Sequence, residues 1–209
     1  MRVRPLTPDA VVTELADRIA ECRGPGPATR VLVDGAPPAE PGGWAQALVD
    51  PLRLRGRPVV RARAEDFLRP ASLRLEQGRR DPDAFYAERL DTGALVRELL
   101  APAGPGGSGR VLPRFWDAAA DRAARAGHVD AGPGGVVLLH GTLLLGLGLP
   151  AELVVHLHLS EHALRRGTPP EHVWTLPAYR RYAEEVGPEE VADVVLRVDH
   201  PDRPALSST

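Results

Sequence analysis

Five short apolar runs, each bounded by glycine, proline or charge, constrain the fold of this chain more tightly than any other feature. They are RVLVDG at 30–35, RPVVRARAEDF at 57–67, GGVVLLHG at 134–141, ELVVHLHLS at 152–160 and ADVVLRV at 192–198. Taken together they are too short for core helices and too continuously apolar for a sheet with one wet face, so they read as buried strands. Helical segments fall between them, at about 8–22, 43–55, 81–100, 160–166 and 175–187. The first starts well: Thr7 supplies a cap oxygen, Pro8 fits the first turn and Asp9 meets the positive end of the dipole. Val12, Leu15, Ala16 and Ile19 then keep helical spacing up to GPGP at 24–27. Strands alternating with helices predict a three-layer α/β/α domain around a mostly parallel five-stranded sheet. APAGPGGSG at 101–109 reads as a turn or loop inside that domain, not as a linker.

A chain of 209 residues is long enough for one such domain, and two would leave both halves small. A formal charge of −2 gives no electrostatic reason to expect nucleic acid as a partner. Cys22 is the sole cysteine, which excludes an intrachain disulfide and fits a reducing compartment. No segment reaches transmembrane length without glycine, proline or charge, and MRVRPLTPDAVV has no signal-like apolar run, so no membrane is expected and the predicted location is cytoplasmic. There is no lysine at all: the 26 basic residues are all arginine, which rules out Schiff-base chemistry on a side-chain amine and a phosphate-gripping lysine.

That last exclusion bears on the first strand–turn–helix unit, VLVDGAPPAEPGGWAQAL at 31–48. A phosphate-binding loop, Gly-x-x-x-x-Gly-Lys-Ser/Thr, needs converging backbone N–H groups, a lysine for the β- and γ-phosphates and a hydroxyl for magnesium. With the pattern started at Gly35, Glu40 falls on the second glycine, Pro41 on the lysine and Gly42 on the hydroxyl residue. Pro37, Pro38 and Pro41 have no N–H to donate, and Glu40 brings negative charge toward a negative ligand. Gly42 and Gly43 still offer N–H groups at a helix start, where weak anion binding can persist.

The order of motifs along the chain resembles the uridine kinase-like family of P-loop kinases, over about residues 8–205. VDGAPPAEPGGWA aligns without a gap to that family's first strand and loop; AEDFLRP at 64–70 aligns to its DDF-H-R-P type motif. GRRDPDAFYAERLDTGALVRELLAPAGPGG at 78–107 matches its G-R-D-P-x-x-F-Y stretch and the Gly-rich run after it. LLHG at 138–141 stands where the family has LLVDG, and Gly167–Pro170 and ADVVLRVD at 192–199 match its GTPP and final strand. The resemblance implies a phosphotransferase fold with ATP at the first loop, a nucleoside or similar hydroxyl acceptor in the cleft, and an arginine-bearing lid at about 160–180. Residue by residue it puts a catalytic carboxylate at Glu65 or Asp66 and the metal-assisting acid's position at His140. On the acceptor side it puts Arg69, Arg79, Arg80, Asp83, Phe85, Tyr86, Asp91, Arg114, Trp116 and Asp117, and lid guanidiniums at Arg165 and Arg166. Each position also has a plain structural use. Glu65 or Asp66 can cap a turn or pair with an arginine such as Arg69; Phe85 and Leu90 can pack a helix; Arg165 and Arg166 suit a solvated helix end.

Histidine suits magnesium poorly. His156 and His158 alternate along one strand face, and make a metal pair only with a third ligand, so no metal is assigned. The expectation is therefore a degenerate nucleoside kinase-like protein, a pseudokinase that keeps its acceptor cleft. ATP and magnesium enter as cofactors only under a rival reading, an active phosphotransferase with a rearranged donor site in which Glu65 is the base and the lid arginines are the clamp; Arg30 or Arg165 would stand in for the lysine only by a different approach path. A third reading is an interaction subunit, with a homodimer or another protein as partner.

Overall fold

The computed structural model describes residues 2–208; the α-amine of Met1 lies outside them. All five predicted strands are present in one sheet. With Arg2–Pro5 as β1, they are β2 (Ala28–Gly35), β3 (Val59–Arg63), β4 (Gly135–Gly141), β5 (Leu153–His158) and β6 (Val194–Arg197), followed by β7 (Ala205–Ser208). The sheet order is β1-β7-β6-β5-β2-β4-β3, so the sheet has seven strands where five were predicted. The five predicted strands run parallel; β7 pairs antiparallel with β6, and β1 antiparallel with β7, so that β1 runs in the same direction as the five. RVRP and ALSS carry no apolar run and are held in the sheet by pairing with each other, and ALSS also by pairing with β6.

β2 and β4 are buried along their whole length. One face of the sheet is covered by α1 (Pro8–Glu21), through Val11, Leu15, Ala16 and Ile19, and by α2 (Pro41–Ala47) and α3 (Val49–Leu54), through Ala45, Leu48 and Leu52. The other face is covered by the 92–103 segment, through Leu95, Leu99 and Leu100, and by Tyr179 and Tyr182 of a later helix. Thr7 caps α1 as predicted, its Oγ1 accepting from Ala10 N at 3.3 Å. Among the described residues no helix is long and apolar enough to cross a membrane.

The predicted helix at 81–100 is broken. A turn of helix covers Pro82–Ala87, and helical structure resumes only at Thr92. Between them the chain runs beside 67–69: Asp91 N donates to Phe67 O at 2.8 Å, Arg69 N donates to Arg89 O at 3.0 Å, and Leu68 bridges Leu90. Asp91 then restarts the helix as its cap, accepting from Ala94 N at 2.8 Å. Local periodicity could not show this break, because the partner strand segment is about twenty residues away in sequence.

Arg57, fully buried, ties the lower ends of these layers together. Its guanidinium donates to Ala20 O at 2.6 Å, Cys22 O at 3.2 Å and Thr29 Oγ1 at 2.7 Å, and its Nε donates to Gly134 O. It thus satisfies carbonyls at the end of α1 that have no helical partner. Charged hydrogen bonds are worth about 1.5–3 kcal/mol each and leave buried acceptors orphaned when removed. Arg57→Leu is accordingly expected to lower unfolding stability by roughly 3 kcal/mol or more, measurable as a drop in the urea midpoint.

Candidate functional site

The loop after β2 stands at the carboxyl edge of the sheet, the end at which open parallel sheets hold ligands. Gly35 is glycine for a packing reason, since a Cβ there would lie 2.8 Å from Leu157 Cβ. Pro37–Ala39 forms a single tight 3-10 turn, in which Ala39 N donates to Ala36 O at 2.8 Å and Glu40 N to Pro37 O at 3.0 Å. Glu40 has φ 54° and ψ 52°, so the second-glycine position keeps a left-handed backbone that favours glycine while carrying a side chain. Pro41 then opens α2, and Gly43 N and Trp44 N both donate to Glu40 O, at 2.9 and 3.1 Å. Three prolines lack an N–H, and those of Ala39, Glu40 and Gly43 are turned onto the loop's own carbonyls.

The loop is closed in from above and below. Gly167, at the end of helix α4 (Glu161–Gly167), sits so near that a Cβ there would be 2.7 Å from Pro38 Cβ. His140, at the end of β4, lies under α2: a Cβ on Gly42 would be 3.2 Å from its Cε1. Its Nε2 is 3.3 Å from Arg61 Nη1. Because a guanidinium only donates, this nitrogen accepts and the imidazole is neutral. Burial is the main cause of its low pKa, about 4, with the Arg61 and Arg63 charges adding to it. This donor set departs from what a magnesium-bound triphosphate needs: the N–H groups of Ala39, Glu40, Gly43 and Trp44 are taken by the loop's own carbonyls, and a neutral, arginine-bound imidazole lies beside Gly42.

Behind the loop lies a buried polar cluster around Asp34, the last residue of β2 before Gly35. Its Oδ1 accepts from Leu144 N at 2.9 Å; its Oδ2 accepts from Tyr182 OH at 2.9 Å and stands 2.8 Å from His156 Nδ1. Burial and then the Asp34 charge raise the Tyr182 phenol above its usual range. His158, one pair further along β5, is 2.8 Å from Glu189 through its Nδ1. The two histidines do share a face, and each Nδ1 is held by a different carboxylate.

A cavity of about 430 Å³ opens beyond Pro37 and Pro38, between the 65–89 segment and residues 168–175. Phe85, Trp174 and Tyr179 make its aromatic corner: the Phe85 ring meets Trp174 edge-on at 5.5 Å and Tyr179 at 6.1 Å. Glu65 stands in its wall with a half-exposed side chain, its Oε1 3.7 Å from Arg89 Nη1. Arg89 lies 4.8 Å over the Phe85 ring and donates to Thr142 O at 3.0 Å.

No protein-family model matches this sequence, and no curated protein matches it. Solved structures do. A possible uridine kinase from Bacillus stearothermophilus superposes with a TM-score of 0.69 at 20% identity, covering 88% of this chain and 96% of that one. A candidate fructose transport system kinase from Silicibacter sp. TM1040 gives 0.61 at 21% identity, over 87% and 95%. The YGR205w protein gives 0.59 at 13% identity, over 98% and 99%. The fold is that of the uridine kinase-like P-loop kinases.

Within this kinase fold the residues singled out from the sequence separate into two groups. Glu65, Arg79 and Phe85 line the cavity. Asp66 does not: it is buried and clamped by Arg63, at 2.8 and 2.9 Å, with Arg114 at 3.4 Å, so its partner is not Arg69. Arg69 reaches only Glu88 O, at 3.5 Å, and Asp91 is a helix cap. Tyr86 faces away, toward Glu185 at 3.1 Å and under Arg181. Arg114 also pairs with Asp117 at 3.1 Å, and Asp117 accepts from Ala119 N and Ala120 N. Those backbone donors, that of Ala120 first, hold the Asp117 carboxyl below its usual range. Arg165 and Arg166 are exposed on the last turn of α4, with Arg166 donating to Asp199 O at 3.2 Å. Arg30 cannot stand in for the missing lysine: it is ion-paired to Glu152 at 2.5 Å, five residues or about 16 Å before Gly35 along an extended strand. Sequence reasoning missed Asp34, Arg74, Arg89, Trp174 and Tyr179. Of these, only Asp34, a lone acid ending an apolar run, carried a local signal.

The state of His140 sets a pH dependence. Its folded-state pKa of about 4 lies below the ordinary 6.5, so the unfolded chain binds the proton more readily between these values. Its contribution to stability is complete above pH 6.5 and is lost as pH falls toward about 4. The loss is on the order of 3 kcal/mol, and His140→Gln is expected to flatten urea-measured stability across that window.

Proposed function

We propose that this protein binds a small molecule in the acceptor cleft of a nucleoside-kinase fold and is deficient in ordinary magnesium-ATP-dependent phosphoryl transfer. The observation that carries this reading is the packing of the first loop, with Pro38 under Gly167 and Gly42 against His140. A functional phosphate loop gains its affinity from charge-assisted contacts. Losing two at roughly 1.5–3 kcal/mol each removes about two to four orders of magnitude of binding. Beside this loop the cavity remains open and aromatic-lined, with Glu65 in its wall. That combination favours retention of an acceptor-type ligand over retention of the donor.

Glu65 also supports a second reading, an active phosphotransferase with a rearranged donor site. A half-exposed carboxylate at the end of β3 can take a proton from a substrate hydroxyl. Purified protein incubated with magnesium-ATP and a nucleoside panel separates the two. The expected result is ADP release no greater than in a no-protein control; turnover of about 1 s⁻¹ or more, ordinary for kinases, establishes the second reading instead. In thermal melts, an acceptor-type ligand at about 100 times its Kd adds ~2.7 kcal/mol, a rise of roughly 5–10 °C, whereas magnesium-ATP is expected to leave the midpoint unchanged.

A further inference from the structure

The cavity beside the first loop holds two guanidinium groups that the kinase-fold reading does not use. Arg74 Nε and Arg89 Nε are both buried and both lack a hydrogen-bond partner, and both side chains line this one cavity. A buried donor without a partner costs about 1–3 kcal/mol, more when charged, and both of these donors belong to guanidinium side chains that line one cavity. Their charges also act on each other: burial is the main cause that draws the Arg89 guanidinium below its usual pKa, and Arg74 pushes the same way. Arginine stays protonated in proteins, so the pair faces the cavity as cations.

The carboxylates nearby do not resolve this. Glu65 is 3.7 Å from Arg89 through Nη1 and leaves both Nε atoms untouched. Asp81, also in the wall, is engaged as a helix cap, accepting from Ala84 N at 2.7 Å. Three arginines (Arg74, Arg79 and Arg89) thus face two acids, in a cavity whose remaining surface is mostly hydrocarbon and aromatic ring. A neutral nucleoside offers the rings a stacking partner but gives these two Nε–H donors no charge to meet.

We propose that the cavity binds an amphiphilic anion: a flat, apolar or aromatic body against Phe85, Trp174 and Tyr179, with one carboxylate or phosphate group accepting from Arg74 and Arg89. This rests on reading the cavity as the ligand cleft, and it narrows the occupant from hydroxyl compounds in general to anionic ones.

Isothermal titration of the full-length protein with matched probes tests it: 2-naphthoate against neutral 2-naphthamide, and phenyl phosphate against phenol. At least one anion is expected to bind about tenfold or more tightly than its neutral counterpart, the factor one charged hydrogen bond supplies; which anion leads identifies the head group. Arg74→Met is expected to remove that preference while leaving the neutral probe's affinity unchanged, and Arg74→Lys to restore part of it. Because Arg89 also holds Thr142 O and Glu65, it is tested as Arg89→Lys, with the melting midpoint followed in parallel. Equal affinities within both pairs, no binding of any probe, or an unchanged anion preference in Arg74→Met overturns the inference. Equal affinities would leave the deficient-kinase reading standing, whereas ADP release in the magnesium-ATP assay would defeat that reading without touching this one.

Discussion

A carboxylate with no access to water has to be answered by donors from its surroundings, and at Asp34 those donors come from everywhere the structure needs to be held. The residue is wholly buried, and its partners lie on the loop after β4, on β5 and on the helix that follows the lid. Removing one partner of such a group is far more costly than never having built it. The carboxyl ends of three adjacent elements are thereby fixed to one another. The floor under the first loop stays rigid whatever the loop above it contains.

That rigidity explains how the scaffold accommodates a loop so unlike a phosphate cradle. Glu40 still adopts the left-handed backbone of the glycine position, so the path of the chain is kept while its chemistry changes. Side chains pack closely around the loop. Pro38 meets Gly167 at the end of α4, and the His140 imidazole packs on Gly42 while accepting from Arg61. In a loop packed this way the N–H groups of Ala39, Glu40, Gly43 and Trp44 are taken by its own carbonyls. The cavity alongside is different: its rings pack edge to face, yet two guanidinium nitrogens in its wall remain unanswered.

Much of this was legible before any coordinates. The five apolar runs are the five parallel strands, Thr7 is the cap it looked to be, and the three prolines of the first loop have no N–H to offer. Such signals are local: an apolar run, a cap or a missing N–H acts on its own few residues. The two added strands were hidden because RVRP and ALSS have meaning only as each other's partners. The break at 88–91 was hidden for the same reason, since the residues that interrupt the helix are Phe67 to Arg69. Asp66 and Glu65 could not be told apart in AEDFLRP. Which of the two reaches the cavity depends on Arg63 and Arg114, and Arg114 arrives from a segment nearly fifty residues away.

By itself, then, the amino-acid sequence determined the layering, the parallel sheet and the absence of a lysine and a hydroxyl from the first loop, because each is fixed by hydrophobic period or by the chemistry of single residues. Only the tertiary structure decided what packs against that loop, that Glu65 and not Asp66 lines the cavity, and that Arg74 and Arg89 share its wall. Those outcomes depend on burial and on partners brought together from distant parts of the chain, and neither quantity is a property of any one stretch of it.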